Sequence, residues 1–435
     1  MSRQDFTSSK VTSKEEAPFD INELFFSRTD DRGVIISGNE VFRRISGYTW
    51  DELVGAPHKI IRHPDMPKGV FYILWERLKK GLATGAYVKN RANDGRHYWV
   101  YAIFSPVDGG YVSVRLKPTS SLFESVISLY AESFNREQED GLSPVESAGN
   151  IRAKLRDLGF PSYSAFSSYA VAQEVIARAD VLARVEDERL QSLIRILPVL
   201  EALDEQHASL FASFAKTRGI PSNMRIVASR LEPAGGPISA ISQNYRLMSD
   251  EASTHLGSFQ GDDGSQSLPA AVAKKVYGAL FMMAASSIQC EVKNVAAEGL
   301  VSGVEADGFQ GEVDILDQLS EGYMAESRSV LQSVCSEAMA LARSAKDLRQ
   351  LVTGLDSIRV LCRVEAGRLS AQSVALTPVI NQLDRFHVEI DSTLEQILTL
   401  ADKVAAMIET SMARSFNCPL DKLPAAERNL SQVYA

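Results

Sequence analysis

Cysteine is scarce in this chain. Its 435 residues hold four, Cys290, Cys335, Cys362 and Cys418, and no two form a C-x-x-C pair. That spacing excludes a disulfide framework and a zinc site, and the thiols are expected to be buried or inert. Long apolar runs are lacking too. The most apolar stretch, Val276 to Ile288, has 13 residues, whereas a helix needs about 20 to cross a bilayer, so no transmembrane span is expected. Met1 to Glu16 is polar and of mixed charge, without the apolar segment of a secretory signal, and the expected location is cytoplasmic. Positive charge is not in excess either: 46 Lys and Arg stand against 55 Asp and Glu, a net charge of -9. Phosphate backbones and anionic lipid would repel such a chain, which disfavours nucleic-acid binding. No P-loop, G-x-S-x-G or H-E-x-x-H motif occurs.

Tryptophan is rare and unevenly placed. Trp50, Trp75 and Trp99 all fall within the first hundred residues. From about Phe25 to Pro118 short β-like runs alternate with turn signals, and beyond that the pattern becomes helical, which marks a domain boundary. Gly33 to Ser37 reads as a strand. Asn93-Asp94-Gly95 reads as a hairpin turn between Tyr87 to Arg91 and His97 to Phe104, and Asp108-Gly109-Gly110 as a second turn before Tyr111 to Leu116. With Lys68 to Lys80 and two shorter helical segments between them, these strands form a small antiparallel sheet with helices on one face.

The segment ISGYTWDELVGAPHKIIRHPDMPK from Ile45, followed by LWERLKKG from Leu74, VKNR from Val88 and DGRHYWV from Asp94, resembles the PAS domain of bacterial aerotaxis receptors over nearly the whole region. The resemblance implies non-covalent FAD, whose redox state reports oxygen or electron-transport status. It also implies that Asn39, Arg62, His63, Asp65, Phe71, Trp75, Asn90 and Trp99 form or support the flavin site. A flavin requires an apolar slot, amides for its polar edge and cations for its pyrophosphate, and these residue types supply them. Each also has a local reading: Arg62 with Asp65 as an ion pair, His63 as a cap for the helix after Pro64, Trp75 and Trp99 as core. Thr84 stands where that family has an aromatic residue, and a lost stacking wall weakens binding by about 1 kcal/mol beyond the area lost. Flavin-cysteinyl photochemistry is excluded because the domain has no cysteine. Haem would need an axial ligand from His58, His63 or His97, and no spacing argues for one.

From Ser143 onwards apolar residues follow steps of three and four: Leu193, Ile196, Leu200, Leu203, Leu210 and Phe214, then Ile238, Ile241, Tyr245, Met248, Ala252 and Phe259, and later Leu376, Val379, Leu383, Phe386, Ile390, Ile397, Leu400, Val404 and Met407. A 3.5-residue period held this long predicts coiled-coil packing. NMRIVASRLEPAGGPISAISQNYR from Asn223 is similar to the signalling-hairpin tip of methyl-accepting chemotaxis proteins, with Asn223, Ile226, Ala228, Arg230, Gly235 and Arg246 in shared positions. Val227 replaces a glutamate of that pattern, and Pro233 and Pro237 enter the turn. RVEAGRL from Arg363 is a second copy: Arg225 and Arg363, Ala228 and Ala366, Arg230 and Arg368, and Leu231 and Leu369 all differ by 138. Two hairpins in one chain predict an intramolecular four-helix bundle with both tips, Glu232 to Pro237 and Leu369 to Val374, at one end. In that family the tip contacts a chemotaxis histidine kinase and its coupling protein, which become the implied partners, along with other receptors and self-association.

The expected fold is therefore an α+β PAS domain followed by an all-α antiparallel coiled coil or four-helix bundle. The expected division is a disordered N-terminus (1–20), the PAS sensor (21–118), a connector helix (119–142), a first hairpin unit (143–260), a linker and helix (261–311), a second hairpin unit (312–412) and a tail (413–435). FHVEI from Phe386 weakly resembles the phospho-acceptor helix of sensor histidine kinases. No ATP-binding segment follows it, so His387 is expected on a helix surface and no enzyme is expected. Two functions remain: a soluble redox or oxygen transducer coupled to a chemotaxis-type array, and a cofactor-free PAS and coiled-coil protein that scaffolds or modulates receptors.

Overall fold

A computed structural model describes residues 15–217, 219–230, 236–260, 266–297, 306–368 and 376–416. The chain forms two compact units, Met1–Gln191 with Tyr277–Ser329, and Ser192–Val276 with Val330–Ala435.

The first unit is built on a five-stranded antiparallel sheet in the order β2-β1-β5-β4-β3. Its strands are β1 (Phe25–Thr29), β2 (Ile35–Gly38), β3 (Thr84–Arg91), β4 (His97–Val107) and β5 (Gly110–Leu116). Gly110 allows the β4–β5 turn to pass beside β1, since a Cβ there would lie 1.9 Å from the carbonyl oxygen of Thr29. Between β2 and β3 run α1 (Glu40–Ser46), α2 (Trp50–Leu53), a 3-10 turn (His58–Ile61) and α3 (Lys68–Leu78). Residues 15–20, expected as part of a disordered terminus, are packed: Ala17 donates its amide to the His97 carbonyl at 2.7 Å, and Phe19 meets Phe25 edge-on at 5.1 Å.

Successive strand side chains point to opposite faces of the sheet. The inner face lies under α1 to α3, and later helices cover the outer one. Following β5, α4 (Leu122–Glu139) places Phe123 against Trp99, with ring centroids 5.3 Å apart, and buries Val126, Leu129 and Tyr130. The next helices, α5 (Pro144–Asp157) and α6 (Tyr163–Val181), were expected to open the first hairpin unit. Instead they complete the sheet unit, because their polar groups satisfy its backbone and phenols. Gly85 donates to Ser167 Oγ at 2.8 Å, Tyr163 donates to the Gly85 carbonyl at 3.1 Å, and Tyr101 donates to the Ser167 carbonyl at 2.8 Å.

Glu174 of α6 is fully buried. Its carboxylate accepts from Tyr87 Oη at 2.7 Å, Ser120 Oγ at 2.6 Å and the amides of Thr119 and Ser120 at 2.6 and 3.1 Å, so it holds the residues that lead into α4. Glu137 of α4 takes the free first-turn amides of α3, those of Lys68 and Gly69.

Two long helices, α10 (Leu268–Ala297) and α11 (Ala306–Arg368), contribute residues to both units. Within the first, Gln289 Nε2 and Tyr323 Oη donate to Ser105 Oγ at 3.1 and 2.9 Å. Glu291 pairs with Arg178, and Glu312 with Arg28 and Ser37. The strictly apolar run in α10 is short, yet over Leu268–Val295 the helix is long and apolar enough to cross a membrane by length and composition, with half of its most apolar window buried in protein. Its polar side chains meet protein groups: Ser286 donates to the Ser320 carbonyl at 2.9 Å, Gln289 to Ser105, and Lys275 pairs with Glu337.

The second unit contains α7 (Glu188–Thr217, from Ser192 onwards), α8 (Ile220–Arg230), α9 (Gly236–His255), α12 (Thr377–Phe416) and parts of α10 and α11. Helices α8 and α9 fold back on each other, with Ser242 Oγ donating to the Pro221 carbonyl at 2.7 Å. A longer antiparallel pair is formed by α11 and α12, tied by Arg359–Asp384 at 2.6 Å and Arg349–Asp391 at 2.8 Å. Across the hairpins Phe214 meets Phe386 at 5.4 Å. Met248 lies so close to α11 that a Cβ at Gly354 would be 2.3 Å from its Cε.

Helix α8 is described to Arg230 and α9 from Gly236, and α11 to Arg368 and α12 from Thr377; of the expected tips, Gly236 and Pro237 open α9, and residues 231–235 and 369–375 lie outside the described residues. On α12 the buried stripe runs Val379, Leu383, Phe386, Ile390, Leu394, Ile397, Ala401, Val404 and Ile408, while Leu400 and Met407 are half-buried. Steps of four outnumber steps of three, so this helix drifts away from a strict 3.5 repeat. His387 is buried beside that stripe rather than on the surface, and burial lowers its basicity.

Candidate functional site

The Arg62–Met66 loop runs along the free edge of β3. Arg62 bridges Asn90, and the His63 amide donates to the Lys89 carbonyl at 3.3 Å. The edge strand is thereby covered. Arg62 lays its guanidinium 3.7 Å over the ring of Phe71, half-buried, and burial lowers its pKa against the opposing pull of Glu137. No ion pair links Arg62 to Asp65 among the described residues. Asp65 reaches Lys89 at 3.2 Å, and its own amide donates to His63 Nδ1 at 3.2 Å. His63 is buried, and its pKa falls to about 4, first through burial and then through Lys89. Arg62, His63, Asp65, Phe71 and Asn90 are thus gathered at one edge.

The other three residues stand elsewhere. Asn39 is the cap of α1: Oδ1 accepts from the amides of Phe42 at 3.1 Å and Phe26 at 3.0 Å, and Nδ2 donates to the Leu24 carbonyl at 2.8 Å. Its amide group is spent on holding β1 to α1. Trp75 packs on Tyr111 of β5 and against Gly33, 3.2 Å from a Cβ built there. Trp99 is on the wrong face for the cluster. It pairs with Lys89 while Tyr98 pairs with Asn90, so alternation puts it on the outer face with Phe123 and Tyr130.

The inner face holds further polar residues. Thr84, Phe104, Ser113 and Ser27 form one row across four strands, and Ala86, Ala102, Arg115 and Phe25 form the next. Arg115 is only 2% exposed. Its Nη2 donates to Ser27 Oγ at 2.9 Å and to His58 Nε2 at 2.7 Å, and its guanidinium carbon stands 5.6 Å from the Phe42 ring centre. Because a guanidinium can only donate, His58 accepts at Nε2 and carries its proton on Nδ1. Burial, reinforced by Arg115, lowers the His58 pKa to about 3, so this ring is neutral near pH 7. Burial also brings Arg115 down to about 10, still a cation. Of the histidines considered for haem, His58 is therefore occupied by Arg115, and His63 faces His97 edge-on at 6.2 Å.

Residues 35–115 match the protein-family model described as PAS fold. The N-terminal sheet is a PAS domain. The aerotaxis receptor of Escherichia coli (strain K12) is 39% identical over 129 residues, 28% of this chain and 26% of that protein. Biofilm dispersion protein BdlA of Pseudomonas aeruginosa is 33% identical over 82 residues, 19% of this chain and 20% of that protein. The chain therefore spans about a quarter or less of the curated relatives it matches. The light-state structure of the blue-light photoreceptor Aureochrome1 LOV is 22% identical and covers 24% of this chain and 88% of that one, with a TM-score of 0.22.

Would a flavin suit the residues present? A polar, planar group needs donors and a flat apolar floor. The inner face offers hydroxyls and a guanidinium with unpartnered atoms beside Ala86 and Ala102, so the donor set fits. An open concavity of about 420 Å³ is lined by Pro18, Phe19, Asp20, Glu23, Arg44 and Lys117, and its Phe19 meets Phe25 and Tyr98 of the inner face edge-on at 5.1 and 6.4 Å.

Proposed function

We propose that this chain is a cytoplasmic signal transducer whose PAS domain binds FAD and passes its state to the helical bundle, which addresses a chemotaxis-type histidine kinase with its coupling protein or other receptors. The observation that carries this reading is the gathering of Arg62, His63, Asp65, Phe71 and Asn90 beside an inner face with unpartnered donors. Arg62, with its cation and its stack on Phe71, is suited to a pyrophosphate. Asn90 and Arg115 are suited to the polar edge of a ring. When bound, a flavin supplies a redox change whose altered charge the surrounding donors register. Similarity to the aerotaxis receptor supports the choice of flavin.

The route onward starts at β5. Thr119 and Ser120 follow it after Lys117 and Pro118, and Glu174 holds both amides, so a displacement of β5 reaches α6 and the start of α4 at one carboxylate. A two-state shift of about 1–3 kcal/mol is what coupled sites supply. The test is the colour of the purified full-length protein, with and without reductant, and its uptake of added FAD. A flavin spectrum lost on Arg62→Ala with the fold retained supports the reading. A colourless protein that refuses FAD leaves the cofactor-free scaffold in its place.

A further inference from the structure

Buried polar groups in folded proteins almost always have a partner. Four inner-face residues depart from that rule: the hydroxyls of Thr84, Tyr98 and Ser113 and Nη1 of Arg115 are buried without a hydrogen-bond partner. Strand register sets all four residues on one face of β3, β4 and β5. Arg115 is the extreme case, since its hydrogen-bond partners are the neutral groups Ser27 and His58 and no carboxylate pairs with it among the described residues. A buried cation without an anion is costly to maintain. Its neighbours are also particular. Ala86 and Ala102, in the same row, are the smallest side chains on the face, and neutral His58 fixes Nη2 while leaving Nη1 free.

Resting on the sensor reading above, we propose that Arg115 is the ligand-recognition residue of the inner face. Its Nη1 donates to a carbonyl or anionic acceptor on the edge of a planar conjugated ring, with Thr84, Tyr98 and Ser113 supplying further hydroxyls. The isoalloxazine of a flavin is the member of that class to test. Arg115 lies on the strand that leads through Lys117 and Pro118 to Thr119 and Ser120, so the group that reads the ligand is a few residues from the amides that Glu174 of α6 holds. The sequence resemblance placed no role on Arg115; its candidates were Asn39 before α1, Arg62, His63 and Asp65 in the loop before α3, Phe71 and Trp75 on α3, Asn90 on β3 and Trp99 on β4.

The experiment uses the full chain with any flavin stripped. Arg115→Met removes the charge at similar length, and Ser27 Oγ and His58 Nε2, 3.4 Å apart, are then free to pair with each other. The apoprotein of R115M is expected to melt at a higher temperature than wild-type apoprotein, while its affinity for added FAD, read by flavin fluorescence, falls tenfold or more. Arg115→Lys keeps a cation but not the second donor arm, and is expected to bind between the two. An R115M apoprotein that melts lower or fails to fold overturns the proposal, as does one that binds FAD within twofold of wild type. If the wild type takes up no FAD while R115M still melts higher, the flavin reading fails and the costly, ligand-seeking cation remains.

Discussion

The two faces of the PAS sheet are both buried, yet their polar groups are treated in opposite ways. On the outer face Tyr87 meets Glu174, Tyr101 the Ser167 carbonyl, Ser105 both Gln289 and Tyr323, and Arg28 Glu312. Leftover atoms there include Arg28 Nε, Gln289 Oε1 and Glu312 Oε2, which belong to groups that already hold a partner, and the hydroxyl of Tyr130 on α4, which has none. On the inner face Thr84, Tyr98 and Ser113 have hydroxyls with none. The hydroxyls that the strands themselves present to the outer face, those of Ser37, Tyr87, Tyr101 and Ser105, all have partners, so the sheet has no general difficulty in satisfying buried hydroxyls. The outer face is therefore a permanent interface with the helices, and the inner face keeps donors in reserve for something else.

The largest expected effect breaks the outer face. Glu174→Leu would leave Tyr87 Oη, Ser120 Oγ and two amides without their acceptor in a fully buried site. Each stranded buried group costs about 1–3 kcal/mol, so a loss of about 3 kcal/mol or more is expected in urea unfolding. A loss below about 1 kcal/mol would mean that the clamp does not hold α4.

Acid comes next, and it acts on the inner face. His58 has a folded pKa of about 3 against 6.5 for the free side chain. Between these values the unfolded chain binds more protons, so stability rises with pH and is lost as pH falls below 6.5. His63, lowered to about 4, acts in the same direction. For His58 alone the loss by pH 4 is on the order of 3 kcal/mol. Unfolding measured at pH 7 and pH 5 should show a clear difference in wild type and a smaller one in His58→Gln. Equal pH dependence in the two would show that this ring is not held neutral.

A third pair of variants separates the faces directly. Trp99→Ala removes the ring packed on Phe123 and Tyr130 and is expected to cost about 2–3 kcal/mol of stability, less than a fully buried aromatic, with FAD affinity unchanged. Asn90→Ala, on the other face of the same strand pair, is expected to weaken FAD binding with little loss of stability. Reversal of either result would move the site to the outer face.

These faces were only partly legible in the sequence. Turn chemistry at Asp94-Gly95 and strand alternation located β3 to β5, and the R-H-P-D-M-P segment located the loop that covers the β3 edge. Alternation in Tyr111 to Leu116, with Val112, Val114 and Leu116 as the apolar set, makes Ser113 and Arg115 look like a solvent face. They are buried because α1 to α3 cover that side, which depends on tertiary packing and not on β5 itself. The same dependence hid α5 and α6, whose helical pattern is visible but whose docking on the sheet rests on single groups such as Ser167 and Glu174. In the second unit the heptad stripe found most of the core. It missed Leu394, Ala401 and Ile408 because a 3.5 period and an unsupercoiled helix part company over several turns.

The smallest effect is the sharpest test of the comparison, since it concerns single hydroxyls of equal chemistry on opposite faces. Ser105→Ala removes the acceptor shared by Gln289 and Tyr323, leaving two donors stranded at 3.1 and 2.9 Å from nothing. It is expected to cost about 1–2 kcal/mol. Thr84→Val keeps the shape of the side chain and deletes a buried hydroxyl that has no partner, so nothing is stranded. The cost of burying that group disappears, and the apoprotein should gain up to about 1 kcal/mol. Paired denaturation curves decide the matter through the sign alone. Two losses of similar size would mean that the inner hydroxyls are engaged like the outer ones, and the reserve of donors would vanish. A loss at Ser105 beside a gain at Thr84, together with weaker uptake of FAD by the Thr84 variant, would show that the inner face gives up stability to keep a ligand site.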